Sequence, residues 1–171
     1  MEKVVEISDT SKRPALNYLN NGYSVASWLL TKDHKRIAML YLASVSFFFM
    51  LGGIFAGLIR LELLTPNSDL LEAASYNRVF TAHGVIMVFL FLIPAIPATI
   101  GNFLVPIMIG TKDLAFPRIN LLSWYLYMAG GAVAAFALLN GGVDTGWTFY
   151  APYSTTFSNG WVLVTGLGAF V

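Results

Sequence analysis

The sequence predicts an all-α fold: a polytopic transmembrane helix bundle with three full spans and the start of a fourth. Three observations predict it. Of 171 residues, 57% are hydrophobic and only 11% charged, whereas soluble domains carry roughly 25% charged residues. The charges are also segregated. No Asp, Glu, Lys or Arg falls within the 23 residues from Ile37 to Ile59, the 31 from Val79 to Ile109 or the 25 from Ile119 to Val143. Finally, lipid leaves a spanning chain only helices or a closed barrel, and no period-2 alternation supports a barrel.

Residues 1–36 carry mixed charges and lack the apolar core of a signal peptide, so they read as a cytoplasmic N-terminal segment. Within it Tyr23 to Leu30 is mildly amphipathic, which predicts Trp28 at the membrane interface. Residues 37–60 form the first span, where Gly52, Gly53 and Gly57 offer smooth faces for helix packing. An outer loop, 61–78, leads to the second span, 79–110. At ~1.5 Å per residue this span is longer than a hydrocarbon core of roughly 30 Å, so it tilts or extends into the interface. Pro94, Pro97 and Pro106 should bend it and free carbonyls that neighbours or water must satisfy. After an inner loop, 111–118, the third span covers 119–143, with Gly130 and Gly131 as a second packing face. The outer loop 144–159 is followed by 160–171, whose twelve residues reach only ~18 Å. That stretch is expected to be the start of a fourth span in a piece of a longer protein.

Basic residues set the orientation. Lys3, Lys12, Arg13, Lys32, Lys35, Arg36, Lys112 and Arg118 lie on one side, and only Arg60 and Arg78 on the other. The positive-inside rule then puts the N-terminus in the cytoplasm of a bacterial-type inner membrane. A formal charge of +1 gives no electrostatic case for nucleic-acid binding. With no cysteine there are no disulfides, thiolate metal sites or iron–sulfur clusters, and two histidines remain as nitrogen ligands.

His83 lies five residues into the second span, roughly 6 Å below the outer boundary. An ionisable side chain there faces the bundle interior as a rule, and imidazole suits haem iron, copper or zinc. The alternative is a neutral histidine bonded to a helix carbonyl. Gly84 beside it would let a flat macrocycle approach the backbone. Arg60 ends the first span at similar depth; it either snorkels to the headgroups or pairs with carbonyl or acidic substituents of a cofactor held by His83. His34, in the run Thr31 to Arg36, reads as part of a solvated anchor. Asp113 in the inner loop reads as a turn carboxylate, or as the mouth of a proton path continued by Asn102 and Asn120, amides that need partners or water at membrane depth.

The stretches Tyr76 to Met87 (YNRVFTAHGVIM), Gly101 to Gly110 (GNFLVPIMIG) and Asp113 to Asn120 (DLAFPRIN) closely resemble subunit I of the haem–copper oxidases, specifically of cytochrome c oxidase. Asp33 to Ile37 (DHKRI), Arg60 to Leu63 (RLEL) and Thr145 to Tyr150 (TGWTFY) support the resemblance, which runs in family order over residues 28–171. It implies that His83 is one of two axial ligands of low-spin haem a, that Arg60 lies near that haem's formyl edge and Trp147 near its propionates. It implies further that Asp113 is the entrance of a proton pathway whose lower part Asn102 and Asn120 line, and that Glu62 lies near a peripheral cation site. For the whole subunit it implies electron transfer from cytochrome c through low-spin haem to a haem–copper centre that reduces O2 to water, coupled to proton pumping, with oxidase subunits II and III as partners. The family's other haem ligand, high-spin haem ligand and copper histidines belong to later helices, so this piece alone is expected to be inactive. Quinol oxidase, nitric oxide reductase and a non-redox proton or ion channel component are the competing readings, and the Asp113 matches argue against the reductase.

Overall fold

Every regular element is helical in the computed structural model, which describes residues 16–67, 70–157 and 160–171. Lys3, Lys12 and Arg13 of the orientation count lie outside these residues. The α-helices are α1 (Val25–Leu29), α2 (His34–Glu62), α3 (Ala73–Met108, with π-helical stretches), α4 (Pro117–Leu139) and α5 (Trp161–Phe170), and a π-helical turn, Tyr153–Phe157, precedes α5. Of these, α2, α3 and α4 are long and apolar enough to cross a membrane. Within the most apolar window of α2 only 17% of residues are buried by the chain itself, so its remaining apolar surface needs lipid or other protein as solvent. The chain is an integral membrane protein.

The helices do not end where the charge-free runs end. The Asp33 carboxylate accepts from the Lys35 N–H and caps α2 four residues before Ile37, so Lys35 and Arg36 belong to its first turn. Helix α3 starts at Ala73 and carries Arg78. Absence of charge marks hydrocarbon, whereas a helix runs on until its backbone is capped. Pro117 at the first turn of α4 has no N–H to leave unsatisfied.

Pro94 and Pro97 lie where α3 departs from regular α-helix, whereas Pro106 lies within a regular stretch, Gly101–Met108. The helix widens into π-helical turns at Ile86–Leu92 and Ala95–Ile100, on either side of Pro94 and around Pro97. Pro94 has no N–H for the Leu90 carbonyl four residues earlier. The Tyr127 hydroxyl from α4 donates to that carbonyl instead, at 2.6 Å.

Helix α2 lies between α3 and α4, and α5 packs on α4. One apolar cluster joins Ile37, Tyr41 and Trp124, and a second joins Phe48, Ile86 and Leu90, with Tyr127 packed against both. A Cβ on Gly52 would meet the Met87 sulfur at 2.7 Å, one on Gly131 the Phe48 ring at 2.6 Å, and one on Gly130 the Gly168 carbonyl at 2.5 Å. These three glycines do permit close helix contact. Gly53 and Gly57 make no such contact here, because no atom of the described residues lies within 4 Å of either added Cβ; of the three glycines of α2, Gly52 is the one turned toward α3. Trp28 is half-buried, with the Arg36 guanidinium carbon 4.9 Å from its ring centre in a cation–π contact.

Candidate functional site

Chemistry-bearing side chains collect in two places. In the first, His83 projects from α3 and its Nδ1 lies 2.9 Å from the Gly52 carbonyl oxygen of α2. A carbonyl only accepts, so Nδ1 carries the hydrogen and the neutral ring's lone pair sits on Nε2. The carbonyl thereby fixes both the tautomer and the ring's direction, as outer partners of metal-binding histidines do. Both alternatives drawn from the sequence are thus compatible: the ring bonds a helix carbonyl through one nitrogen and keeps the other available as a ligand.

Arg60 is exposed. It lies eight residues beyond Gly52, about 12 Å along α2, so it stands farther outward of His83 than equal depth would place it. The reason is the early start of α3, which places His83 ten positions after Ala73 and sinks the imidazole. Gly53, Gly57 and Arg60 follow i, i+4, i+7 spacing and therefore form one stripe of α2, whose two glycines leave open space.

Trp147 reaches the same region from the outer loop. A Cβ on Gly84 would stand 2.7 Å from its Cδ1 and 2.9 Å from its Cβ, so only glycine gives the indole this seat beside His83. The loop is pinned there by the Gly146 N–H, which donates to Thr81 Oγ1 at 2.9 Å, while Thr81 donates to the Asn77 carbonyl. Gly146 has φ +81°, open to glycine at little cost. Farther out in this loop the Tyr153 hydroxyl donates to Asp144 at 3.0 Å, and that carboxylate raises the tyrosine pKa above its ordinary value. Glu62 is buried and does not point along the Gly53–Gly57–Arg60 stripe: its Oε2 accepts from the N–H groups of Leu70 and Leu71, and Oε1 has no partner among the described residues.

The second place is the inner end. His34 Nδ1 lies 2.9 Å from Asp113 Oδ1, and the histidine is 4% exposed. This corrects the solvated-anchor reading of His34: the inner loop folds over the start of α2 and closes the ring in. The same carboxylate oxygen accepts from the Leu114 N–H. Asn102, buried in α3, donates to the Ala98 carbonyl and accepts from Asn120 Nδ2 of α4 at 2.6 Å. From Asn120 a hydroxyl chain continues: Ser123 donates to the Asn120 carbonyl, which leaves the Tyr41 hydroxyl to donate to Ser123 Oγ at 2.8 Å. Asn102 and Asn120 are therefore in direct contact, whereas Asp113 is engaged with His34. Spacing along the chain does not single out Tyr41, Ser123 or His34. A signal exists for the first two, since a hydroxyl at membrane depth needs a partner as an amide does.

Residues 36–171 match the family model described as Cytochrome C and Quinol oxidase polypeptide I. Among curated proteins, cytochrome c oxidase subunit 1 of Thermostichus vulcanus is 44% identical over 135 residues, 77% of this chain and 24% of the relative. The protein of that name from Synechocystis sp. is 43% identical over 122 residues, 71% of this chain and 22% of the relative. That of Bacillus sp. strain PS3 is 45% identical over 128 residues, 74% and 21% respectively. The chain spans about a quarter of the length of the curated relatives it matches.

Proposed function

The chain belongs to the cytochrome c and quinol oxidase polypeptide I family, and from that premise we propose that it forms the N-terminal part of the catalytic subunit of a haem–copper terminal oxidase. The activity assigned to the complete enzyme is electron transfer from cytochrome c to O2, giving water, coupled to proton pumping. Its relatives carry the name cytochrome c oxidase, which favours that donor over a quinol. Subunits II and III would complete the assembly, and the basic flanks favour a cytoplasmic N-terminus.

Low-spin haem a is the redox group that these residues fit, and high-spin haem and copper belong to the rest of the enzyme. Bound here, the haem would supply reversible one-electron transfer. The observation that carries the fit is the His83–Gly52 bond: it leaves Nε2 with the lone pair that would bind a haem iron. Gly53 and Gly57 leave their stripe of α2 open among the described residues, so a flat ring could approach the backbone there. Arg60, on that stripe, is the donor for a carbonyl substituent at the ring's edge. Trp147, seated on Gly84, is the residue for the propionate side.

At the inner end, Asp113 is the group that takes a proton from the cytoplasmic water. Asn102 and Asn120 bond each other and offer polar edges to the water that would relay it. The two ends divide the labour: electrons near the outer face, protons from the inner one. A visible spectrum after haem supply to the complete protein tests the assignment. A low-spin haem a band is the expected result; proton conduction without any haem band would replace the oxidase by a channel.

A further inference from the structure

Arg36 is a cation buried to 3% exposure, and its bonded partners among the described residues are neutral. Its Nε donates to the Tyr18 carbonyl at 2.6 Å and its Nη1 to that of Ser27 at 3.2 Å. Its Nη2 donates to the carbonyls of Asn21 at 2.5 Å and Gly22 at 3.1 Å. Its plane lies over the Trp28 ring. A buried charge is expensive unless its donors are occupied, and here each guanidinium nitrogen is used on a segment that ends just before α2. A single ammonium could not reach carbonyls in these directions, because the planar fork supplies the spread.

What that segment encloses gives the arrangement a purpose. A funnel of about 560 Å³ opens at the inner end, lined on one side by Asn17, Tyr18 and Asn21 and on the other by His34 and Asp113. Tyr18 and Asn21 are at once walls of the funnel and carbonyl partners of Arg36. We infer that Arg36 is a positioning residue for proton entry: its guanidinium clasps residues 18–28 into a strap that forms one wall of the water-filled mouth above the His34–Asp113 pair. The inference rests on the reading of Asp113 as the proton entrance. Removing the strap widens the mouth and exposes His34 to water, which competes for the Nδ1–Asp113 bond.

The test uses the complete enzyme carrying Arg36→Lys, which keeps the charge and loses the fork, alone and combined with Asp113→Asn. Losing even one charge-assisted bond is worth a factor of roughly ten or more in a local opening equilibrium. Amide hydrogen exchange within residues 18–28 should accelerate by at least that factor in Arg36→Lys while the haem spectrum stays unchanged. Proton uptake should slow in Arg36→Lys, and the same substitution should have no further effect on the Asp113→Asn enzyme. Unchanged exchange would show that Arg36 is no clasp. Accelerated exchange with unchanged uptake, or equal slowing in the Asp113→Asn background, would separate the strap from the mouth and overturn the inference. If Asp113→Asn alone leaves uptake intact, the entrance reading fails first and takes this inference with it, whatever the exchange result.

Discussion

Replacing Gly84 with alanine puts one methyl group where the outer loop meets the His83 helix. The added Cβ would stand 2.7 Å from Trp147 Cδ1 and 2.9 Å from both Cγ and Cβ, where ordinary contact begins at 3.4 Å. Rotating the indole relieves the contacts with Cδ1 but not the contact with Trp147 Cβ, which moves only with the loop backbone. The loop must then retreat by about 0.5 Å, stretching the 2.9 Å bond from the Gly146 N–H to Thr81 toward the outer limit for a good N–H···O bond. Overpacking of this kind costs about 1–3 kcal/mol, and a weakened hydrogen bond up to about 1 kcal/mol more. Alanine also gains helix propensity over glycine, so Gly166→Ala is the control: it is helical too, and no atom lies within 4 Å of its added Cβ. The assay is detergent-driven unfolding of the purified enzyme, with hydrogen exchange read over residues 144–149. Gly84→Ala should be less stable than Gly166→Ala by about 1–4 kcal/mol, with faster exchange in the loop. Equal stability of the two variants with unchanged loop exchange would refute the reasoning.

Arg60→Met removes the guanidinium from the glycine stripe of α2 and should shift the low-spin haem's absorption band and its reduction potential; a spectrum and redox titration identical to the parent would leave Arg60 as a headgroup contact. Asp113→Asn in the complete enzyme should slow proton uptake into reconstituted vesicles and turnover together while haem spectra stay intact, and undiminished uptake would return Asp113 to the role of a loop carboxylate. The Tyr153–Asp144 bond gives a pH prediction: because the tyrosine pKa is raised from 10.0, the bond supports the outer loop fully below pH 10 and is lost as pH rises through the folded value. Proteolysis of residues 144–157 should therefore show an alkaline step that Tyr153→Phe abolishes.

The spans were legible because hydrocarbon excludes charge: a run such as 119–143, without a single ionised side chain, is what a lipid-facing helix requires and a water-facing one avoids. The role of the prolines was legible as far as a freed carbonyl; that Tyr127 would supply its donor was not, since the two residues are 37 positions apart. His34 misleads for the same reason. It sits among Lys32, Asp33, Lys35 and Arg36, the composition of a wetted flank, and its carboxylate partner lies 79 residues away. Arg36 carries the opposite lesson: its carbonyl partners are local, but backbone acceptors leave no mark in the side-chain pattern. At the outer site, depth in the membrane singled out His83 and Arg60, and Trp147 entered through the family resemblance alone. The hydrogen bond that sets the His83 tautomer and the seat of Trp147 on Gly84 needed the packing of α2, α3 and the loop. Gly53 and Gly57 show a limit of small-residue patterns, which mark where close approach is allowed without saying what approaches.

His83, with Nδ1 held by the Gly52 carbonyl, is proposed to offer Nε2 as a ligand to a low-spin haem. The most direct measurement is the low-spin haem spectrum of the complete enzyme carrying His83→Ala, recorded on preparations that retain their other subunits. A bis-imidazole iron cannot keep its spin state with one ligand gone, so the account predicts loss of the low-spin haem band. A His83→Ala enzyme with the full low-spin spectrum would contradict it.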